Sequence, residues 1–363
     1  MLAGLLRSAQ SCCRCYRDMG NTQQEQFPEE SYCNLDTHQA LAVIQLYLVP
    51  FFFLTVLVLG LPLNLLSLWI FSQRLRRWTR STVFLFNLTL ADTSWLLTLP
   101  FLVRFHLGRL TWRMGLPLCA AVRMFYHTCF YLSIFFVTCV SLDRYLAIVH
   151  PLRSLVLLGR RRTSLVCVAV WTGTVFLSIP VARMTVIQTC PESNRTTCSL
   201  YVLLRQTEES LPYSLSCSIF GFFFPMLSIS YCGVRSLAAL HRRPFRPKPC
   251  SKQRRLRRVL SAVVVLFGAF YLPYHLSRNA AITVRALYPN SPASWRRADL
   301  AFCMEMCVCS LVACVNPLLS CIMVKQFRKE FYRTLTVMCP GMPLVCQTSK
   351  HTKLARPKIF WFS

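Results

Sequence analysis

Seven long apolar runs, separated by short basic segments, constrain this chain more than any other feature. They lie at roughly 43–71, 82–105, 117–149, 163–187, 211–240, 258–287 and 300–324, each meeting the ~20 residues a helix needs to cross a bilayer. Prolines sit inside several of them: Pro62, Pro100, Pro180, Pro225, Pro273 and Pro317. In a soluble helix each would be a breaker. Within a membrane bundle, neighbouring helices and waters re-satisfy the freed carbonyls. A large soluble enzyme offers no reason for seven evenly spaced long runs. The expected fold is an all-α membrane protein, a seven-transmembrane helix bundle.

Charge agrees with this and orients it. The net charge is +28, from 41 Lys+Arg against 13 Asp+Glu, yet 54% of residues are hydrophobic and only 15% charged. A soluble nucleic-acid binder with such an excess would carry more charge in total. A disordered basic chain would lack the apolar content. The basic residues instead gather in alternate loops. Arg74, Arg76, Arg77 and Arg80 follow the first span, and Arg153, Arg160, Arg161 and Arg162 follow the third. The segment between spans five and six and the C-terminal tail add many more, such as Arg242, Lys252, Arg257, Arg328 and Lys329. The excess of Lys and Arg in short loops marks the cytoplasmic side. The expected layout is an outer N-terminal segment 1–42, a seven-helix domain 43–324 and a cytoplasmic tail 325–363, in a multi-pass plasma-membrane protein. Residues 1–40 hold no long apolar stretch, so no cleaved signal peptide is expected. Asn194-Arg195-Thr196 is a glycosylation sequon in the second outer loop, whereas Asn87-Leu88-Thr89 falls inside span two, out of reach.

Most of the 20 cysteines lie within spans and are read as small apolar packing residues. Cys119 opens span three on the oxidising side, and Cys190 and Cys198 lie in the loop between spans four and five. One of the two is expected to pair with Cys119, with Cys198 favoured. Cys33 and Cys303 form a second candidate pair. Cys339 and Cys346, past the last span, are palmitoylation candidates.

Leu142-Asp143-Arg144-Tyr145 closes span three, followed by Ile148-Val149-His150-Pro151-Leu152. Charges at a membrane boundary are costly unless paired, and therefore point to function. Further motifs follow a fixed order: Gly60 to Asn64, Leu88-Thr89-Leu90-Ala91-Asp92, Trp171, Pro225, Tyr271-Leu272-Pro273-Tyr274 and Asn316-Pro317. This ordered set resembles the rhodopsin-like G-protein-coupled receptors. The resemblance implies that Asp143 holds Arg144 at rest and that Arg144 is freed to meet a heterotrimeric G protein. It implies a sodium-binding polar site at Asp92, Ser133 and Asn316, although Val312 and Ala313 stand where helpers are often polar. Pro273 and Pro317 would allow the bends that open the inner face. Phe327-Arg328-Lys329-Glu330-Phe331 is similar to the short amphipathic helix on the inner leaflet, and arrestin and membrane lipid become candidate partners.

On the ligand side, Arg123, His127 and Tyr131 follow Cys119 at four-residue steps and share one face of span three. His275 and Arg278 follow Pro273 in span six. Both patterns resemble nucleotide receptors and their leukotriene and dicarboxylate relatives. Arg104 and Arg183 are placed at matching depth on spans two and four. Such a cationic cavity would take a phosphate or carboxylate through charge-assisted hydrogen bonds. Nucleotide receptors carry a further Arg before the span-seven proline, where this chain reads Glu305-Met306-Cys307. That departure points away from a triphosphate, toward a smaller anion or an anionic lipid. Two usual tyrosines are also replaced, by Gly233 in span five and Ser320 in span seven. Their loss removes hydroxyls expected to stabilise the open inner face, so weak or atypical G-protein activation is expected. No nucleophile–base or metal constellation suggests an enzyme or a cofactor, and His106, His241 and His351 read as scattered and solvated. A receptor for a small anionic ligand is therefore the first reading. The alternative is a receptor that binds without signalling, as a scavenger or partner subunit. A transporter would show internal repeats, and none is seen.

Overall fold

The computed structural model describes residues 42–75, 78–157, 159–190, 194–198, 207–241, 251–288 and 291–338. Seven helices among them are long and apolar enough to cross a bilayer: Ile44–Arg74, Arg80–Leu107, Gly115–Val149, Arg161–Arg183, Ser210–His241, Leu256–Leu287 and Ala293–Met323. We number them spans one to seven. Span seven starts about two turns earlier than its apolar run suggests. Pro292 in its first turn nucleates it, because proline there gives up only a hydrogen bond that the helix start lacks anyway. The added turns carry Arg296, Arg297 and Asp299.

The prolines reshape the spans without ending them. Pro62, Pro180, Pro212, Pro273 and Pro317 lie inside helices. Pro100 lacks the N–H that would bond back to Leu96, and the helix turns at Leu97 and Thr98 just before it. There the Thr98 hydroxyl donates to the Trp95 carbonyl at 2.7 Å. Pro225 follows a π-turn over Ile219–Phe223 in span five.

Side-chain hydrogen bonds pin the packed spans. Asn64 Nδ2 donates to the Gly60 and Ala313 carbonyls at 2.9 and 2.8 Å, joining spans one and seven. Trp171 Nε1 donates to Asn87 Oδ1 at 3.0 Å, joining spans four and two. Spans two and three are among the most buried, and spans one and four turn most of their apolar surface outward. That is the pattern of a bundle whose solvent is lipid.

Two short features cap the ends. Strands β1 (Ile187–Thr189) and β2 (Thr196–Cys198) pair antiparallel, with Ile187 opposite Cys198. This hairpin is a small addition to the helical bundle, and three-residue strands are too short to show a period of two in sequence. Cys198 is disulfide-bonded to Cys119 with Cα atoms 6.2 Å apart, tying the hairpin to the start of span three. Trp112 reinforces this: its backbone N–H donates to the Thr196 carbonyl, and the Thr196 hydroxyl donates back to the Trp112 carbonyl, both at 2.7 Å. Cys190 is itself disulfide-bonded. Cys303 is not; it is a buried free thiol that accepts from Gln45 Nε2 at 3.8 Å, so the Cys33–Cys303 pairing is corrected. Its side chain points into the interface with span one. At the other end lies the tail helix, Lys325–Met338. Phe327 and Phe331, four apart, bury one face, and Phe327 packs on Phe71 of span one with ring centroids 4.6 Å apart. Cys33, Cys339, Cys346 and His351 lie outside the described residues.

Candidate functional site

The hairpin half of the bundle holds the first cluster. Arg123, His127, Tyr131, His275 and Arg278 are all buried, at 7% exposure or less. Four-residue steps bring the first three onto the inward face of span three, and the turn after Pro273 brings the other two opposite. Arg278 Nη1 donates to the Tyr131 hydroxyl at 3.4 Å, closing the cluster across the bundle. Arg123 Nη1 reaches the Met184 carbonyl at 3.5 Å and Thr185 Oγ1 at 3.4 Å, where span four ends. Among the described residues no carboxylate forms an ion pair with Arg278.

His127 has partners at both ring nitrogens and His275 at one. His127 Nδ1 lies 2.9 Å from Ser178 Oγ, whose own proton goes to the Thr174 carbonyl, so the ring donates. Its Nε2 lies 3.4 Å from the Tyr213 hydroxyl, which donates to the Leu177 carbonyl. His275 Nδ1 lies 3.1 Å from Ser218 Oγ, whose proton goes to the Ser214 carbonyl. Asn279 donates from Nδ2 to Ser218 Oγ at 2.9 Å, and its Oδ1 accepts from the Ser214 hydroxyl at 2.7 Å. His275 Nε2 is buried without a hydrogen-bond partner. A neutral ring donating at Nδ1 leaves that nitrogen an acceptor. Phe222 stacks on the His275 ring at 4.7 Å, and His127 and Tyr131 lie 4.7 Å apart.

Arg104 and Arg183 do not join this cluster. Both are exposed and share no hydrogen bond with the five among the described residues, a correction to their expected place. Each lies in the last turn of its helix, where a long basic side chain reaches outward to water or headgroups. Tyr213, Ser178, Ser218, Asn279 and Phe222 were missed in the sequence. They come from spans four, five and six, and isolated Ser, Asn or Phe carry no sequence signal for facing a pocket.

Below this cluster, Asn316 Nδ2 donates to Asp92 Oδ2 at 2.9 Å and to Ser133 Oγ at 3.1 Å. The three residues expected around sodium do meet. Asp92 and Ser133 border a cavity of about 20 Å³ that Ser310, Val312 and Ala313 also line, the Ser310 hydroxyl donating to the Cys307 carbonyl at 2.6 Å. Hard cations are satisfied by many oxygens. Here the three offer one carboxylate and one hydroxyl, while the amide turns its N–H groups on both. This donor set does not fit a built cation site. Across the described residues no three His, Cys, Asp or Glu side chains group to hold a metal.

At the tail end the expected Asp143–Arg144 pairing is absent. Asp143 instead pairs with Arg80 of span two at 3.3 Å and accepts from the Ser81 hydroxyl. Arg80 also donates to the Ser154 carbonyl and hydroxyl in the short helix Pro151–Leu157. Neighbours on one helical turn point apart, so Asp143 faces span two while Arg144 faces elsewhere. Arg144 Nε is buried without a partner. Tyr145 lies 3.2 Å from His150 Nε2 through its hydroxyl. His106 is not solvated: its Nδ1 lies 2.7 Å from the Gln45 carbonyl and the side chain is buried. His241 is exposed, as expected.

A family model described as 7 transmembrane receptor (rhodopsin family) matches residues 63–319. Purinoceptor 4 of Homo sapiens is 30% identical over 301 residues, covering 81% of this chain and 79% of that protein. Apelin receptor A of Danio rerio is 32% identical over 297 residues, covering 78% and 80%. Purinoceptor 4 of Xenopus laevis is 27% identical over 298 residues, covering 79% of this chain but only 54%, about half, of the frog protein's length.

Proposed function

The chain belongs to the rhodopsin family of seven-transmembrane receptors, a multi-pass plasma-membrane class without enzymatic activity, and from this premise we propose that it signals a small anionic ligand to heterotrimeric G proteins. The observation that carries the ligand class is Arg278, buried among phenols with no ion-paired carboxylate among the described residues. An uncompensated buried guanidinium is costly. A ligand phosphate or carboxylate supplies the missing charge. His275 Nε2 adds a second requirement, a donor hydroxyl or amine on the same ligand.

A nucleotide satisfies both demands, and the likeness to purinoceptors favours it. Span seven presents Glu305-Met306-Cys307 rather than a third base, which favours a short phosphate chain over a triphosphate. Dicarboxylates and anionic lipid mediators are the competing anions. In this reading Arg123, His127, Tyr131, His275 and Arg278 contact ligand, and the hairpin end faces outward with exposed Asn194 open to glycosylation. The basic tail end faces the cytoplasm, where Arg144 meets the G protein and arrestin and anionic lipid are further partners.

The test is a panel of nucleoside mono-, di- and triphosphates, dicarboxylates, eicosanoids and lysophospholipids on cells expressing wild type or Arg278→Ala. The readout is nucleotide exchange on co-expressed G proteins. One anionic class should activate the wild type and lose potency at least about tenfold in the variant, the worth of one charge-assisted hydrogen bond. A neutral or cationic agonist indifferent to both Arg278→Ala and Arg123→Ala overturns the reading.

A second reading rests on Gly233 and Ser320. Both stand where family members place tyrosines, which favours binding with weak signalling. Saturable binding of an anion without nucleotide exchange on any co-expressed G protein would select it.

A further inference from the structure

We propose that Gly221 is a positioning residue of the anion site: its bare backbone seats the Tyr131 ring so that the hydroxyl meets Arg278. This rests on the anion-site reading above and names a determinant outside the residues assigned to ligand contact.

Gly221 sits in the π-turn Ile219–Phe223 of span five. Such turns widen a helix by one residue and often occur at functional sites. The turn presents two neighbours to the pocket in different ways. Phe222 stacks its ring on His275. Gly221 offers no side chain, and the Tyr131 ring lies against its backbone. A Cβ built there would overlap Tyr131 Cε1 and stand 2.7 Å from Cδ1. Neither atom can yield without moving the ring.

The ring has nowhere to go. Tyr131 is completely buried. It is flanked by His127 at 4.7 Å, Phe130 at 5.2 Å and His275 at 5.9 Å between centroids. A side chain at 221 therefore shifts Tyr131 together with these neighbours. The hydroxyl at the far end of the ring accepts from Arg278 Nη1 at 3.4 Å, and it moves with the ring. A flexible Arg278 that has lost this contact no longer points at one place in the pocket. Gly221 acts on the ligand through Tyr131 and Arg278.

The experiment uses the full chain in membranes, with fluorescent adenosine and uridine diphosphates as probes. Dissociation constant and number of sites are measured for wild type, Arg278→Ala, Gly221→Ala, Tyr131→Ala and the Gly221→Ala/Tyr131→Ala double variant. Thermal stability of each purified protein is followed in parallel. A folding defect lowers the number of sites, whereas a positioning defect raises the dissociation constant. Gly221→Ala should weaken probe binding about tenfold, the scale of one charge-assisted hydrogen bond. It should also lower the melting temperature. Removing the ring removes both effects: in the Tyr131→Ala background, Gly221→Ala should change neither affinity nor melting temperature. Unchanged affinity and melting temperature in Gly221→Ala, or an equal loss in both backgrounds, overturns the positioning role. If Arg278→Ala binds like wild type, or wild type binds neither probe, the nucleotide reading of the site fails and the inference falls with it. The stability comparison still reports whether Gly221 and Tyr131 are sterically coupled.

Discussion

Arg278 and Arg80 show how one guanidinium can be built for a ligand and another for the fold. Arg278 is buried against phenol hydroxyls, which share hydrogen bonds but no charge. Arg80 meets the carboxylate of Asp143 and the Ser154 hydroxyl, the latter at 2.8 Å. Substituting the first should therefore alter ligand response while leaving the fold. Substituting the second should alter the resting state. Arg104→Ala and Arg183→Ala, both exposed, should leave agonist potency within about threefold of wild type, since surface charges contribute little. A dose–response comparison with Arg278→Ala checks this. Arg80→Ala and Asp143→Asn should each raise basal nucleotide exchange on a co-expressed G protein. They remove the same ion pair, so the double variant should exceed neither single change. Additive effects would show that Asp143 acts through another partner.

Between elements, the joints that matter are few and specific. At the hairpin end, Arg285 of span six pairs with Asp299 of span seven at 2.6 Å, and both side chains are buried. Arg285 also donates to the Ala281 carbonyl at 2.9 Å and lies 6.0 Å from the Trp295 ring centroid. Removing one member of a buried pair leaves an uncompensated charge, whereas removing both often costs little. Asp299→Ala should therefore destabilise by about 3–5 kcal/mol, and Arg285→Leu/Asp299→Leu by much less. Thermal unfolding in detergent distinguishes these outcomes, and equal losses would mean that the pair is not what joins the spans. The disulfide from Cys119 to Cys198 is the second joint, linking cysteines 79 positions apart in sequence. Cys198→Ser should cost about 2–5 kcal/mol, as loss of native disulfides does elsewhere, and should reduce surface expression.

At the scale of the whole molecule, the question is how ligand binding opens the tail end. The family's span-five tyrosine is replaced by Gly233, and the packing has closed over the gap. A Cβ at Gly233 would stand 3.0 Å from Val264 Cγ2 of span six. Ser320 is completely buried, with its hydroxyl unpartnered. A ring at either place would enter a buried contact between spans. Gly233→Tyr should push spans five and six apart and raise basal nucleotide exchange. Ser320→Tyr should destabilise the resting packing. The central polar cluster supplies too few oxygens for a cation, so replacing sodium with an organic cation should change agonist affinity less than about twofold.

Much of this is legible in the chain before folding. The spans follow from the length of apolar runs, the motif order from the residues themselves, and the shared face of Arg123, His127 and Tyr131 from helical period. Topology leaves Cys190 and Cys198 as partners for Cys119, and the fold selects Cys198. Three features are not legible. Helical period places a side chain on a face but does not say which neighbour that face meets. Asp143 thus meets Arg80 rather than Arg144, and Arg104 and Arg183 end outside the pocket. Cys303 faces Gln45 within the bundle instead of a partner outside it. The Tyr131–Gly221 contact requires the relative rotation of spans three and five, which no one-dimensional pattern carries. The sequence by itself determined a seven-span receptor with buried bases in one half, because bilayer thickness and helical pitch act on each span separately. Only the tertiary structure decided which charges are paired, which guanidinium is left for a ligand, and where a missing side chain makes room, because packing is settled between spans.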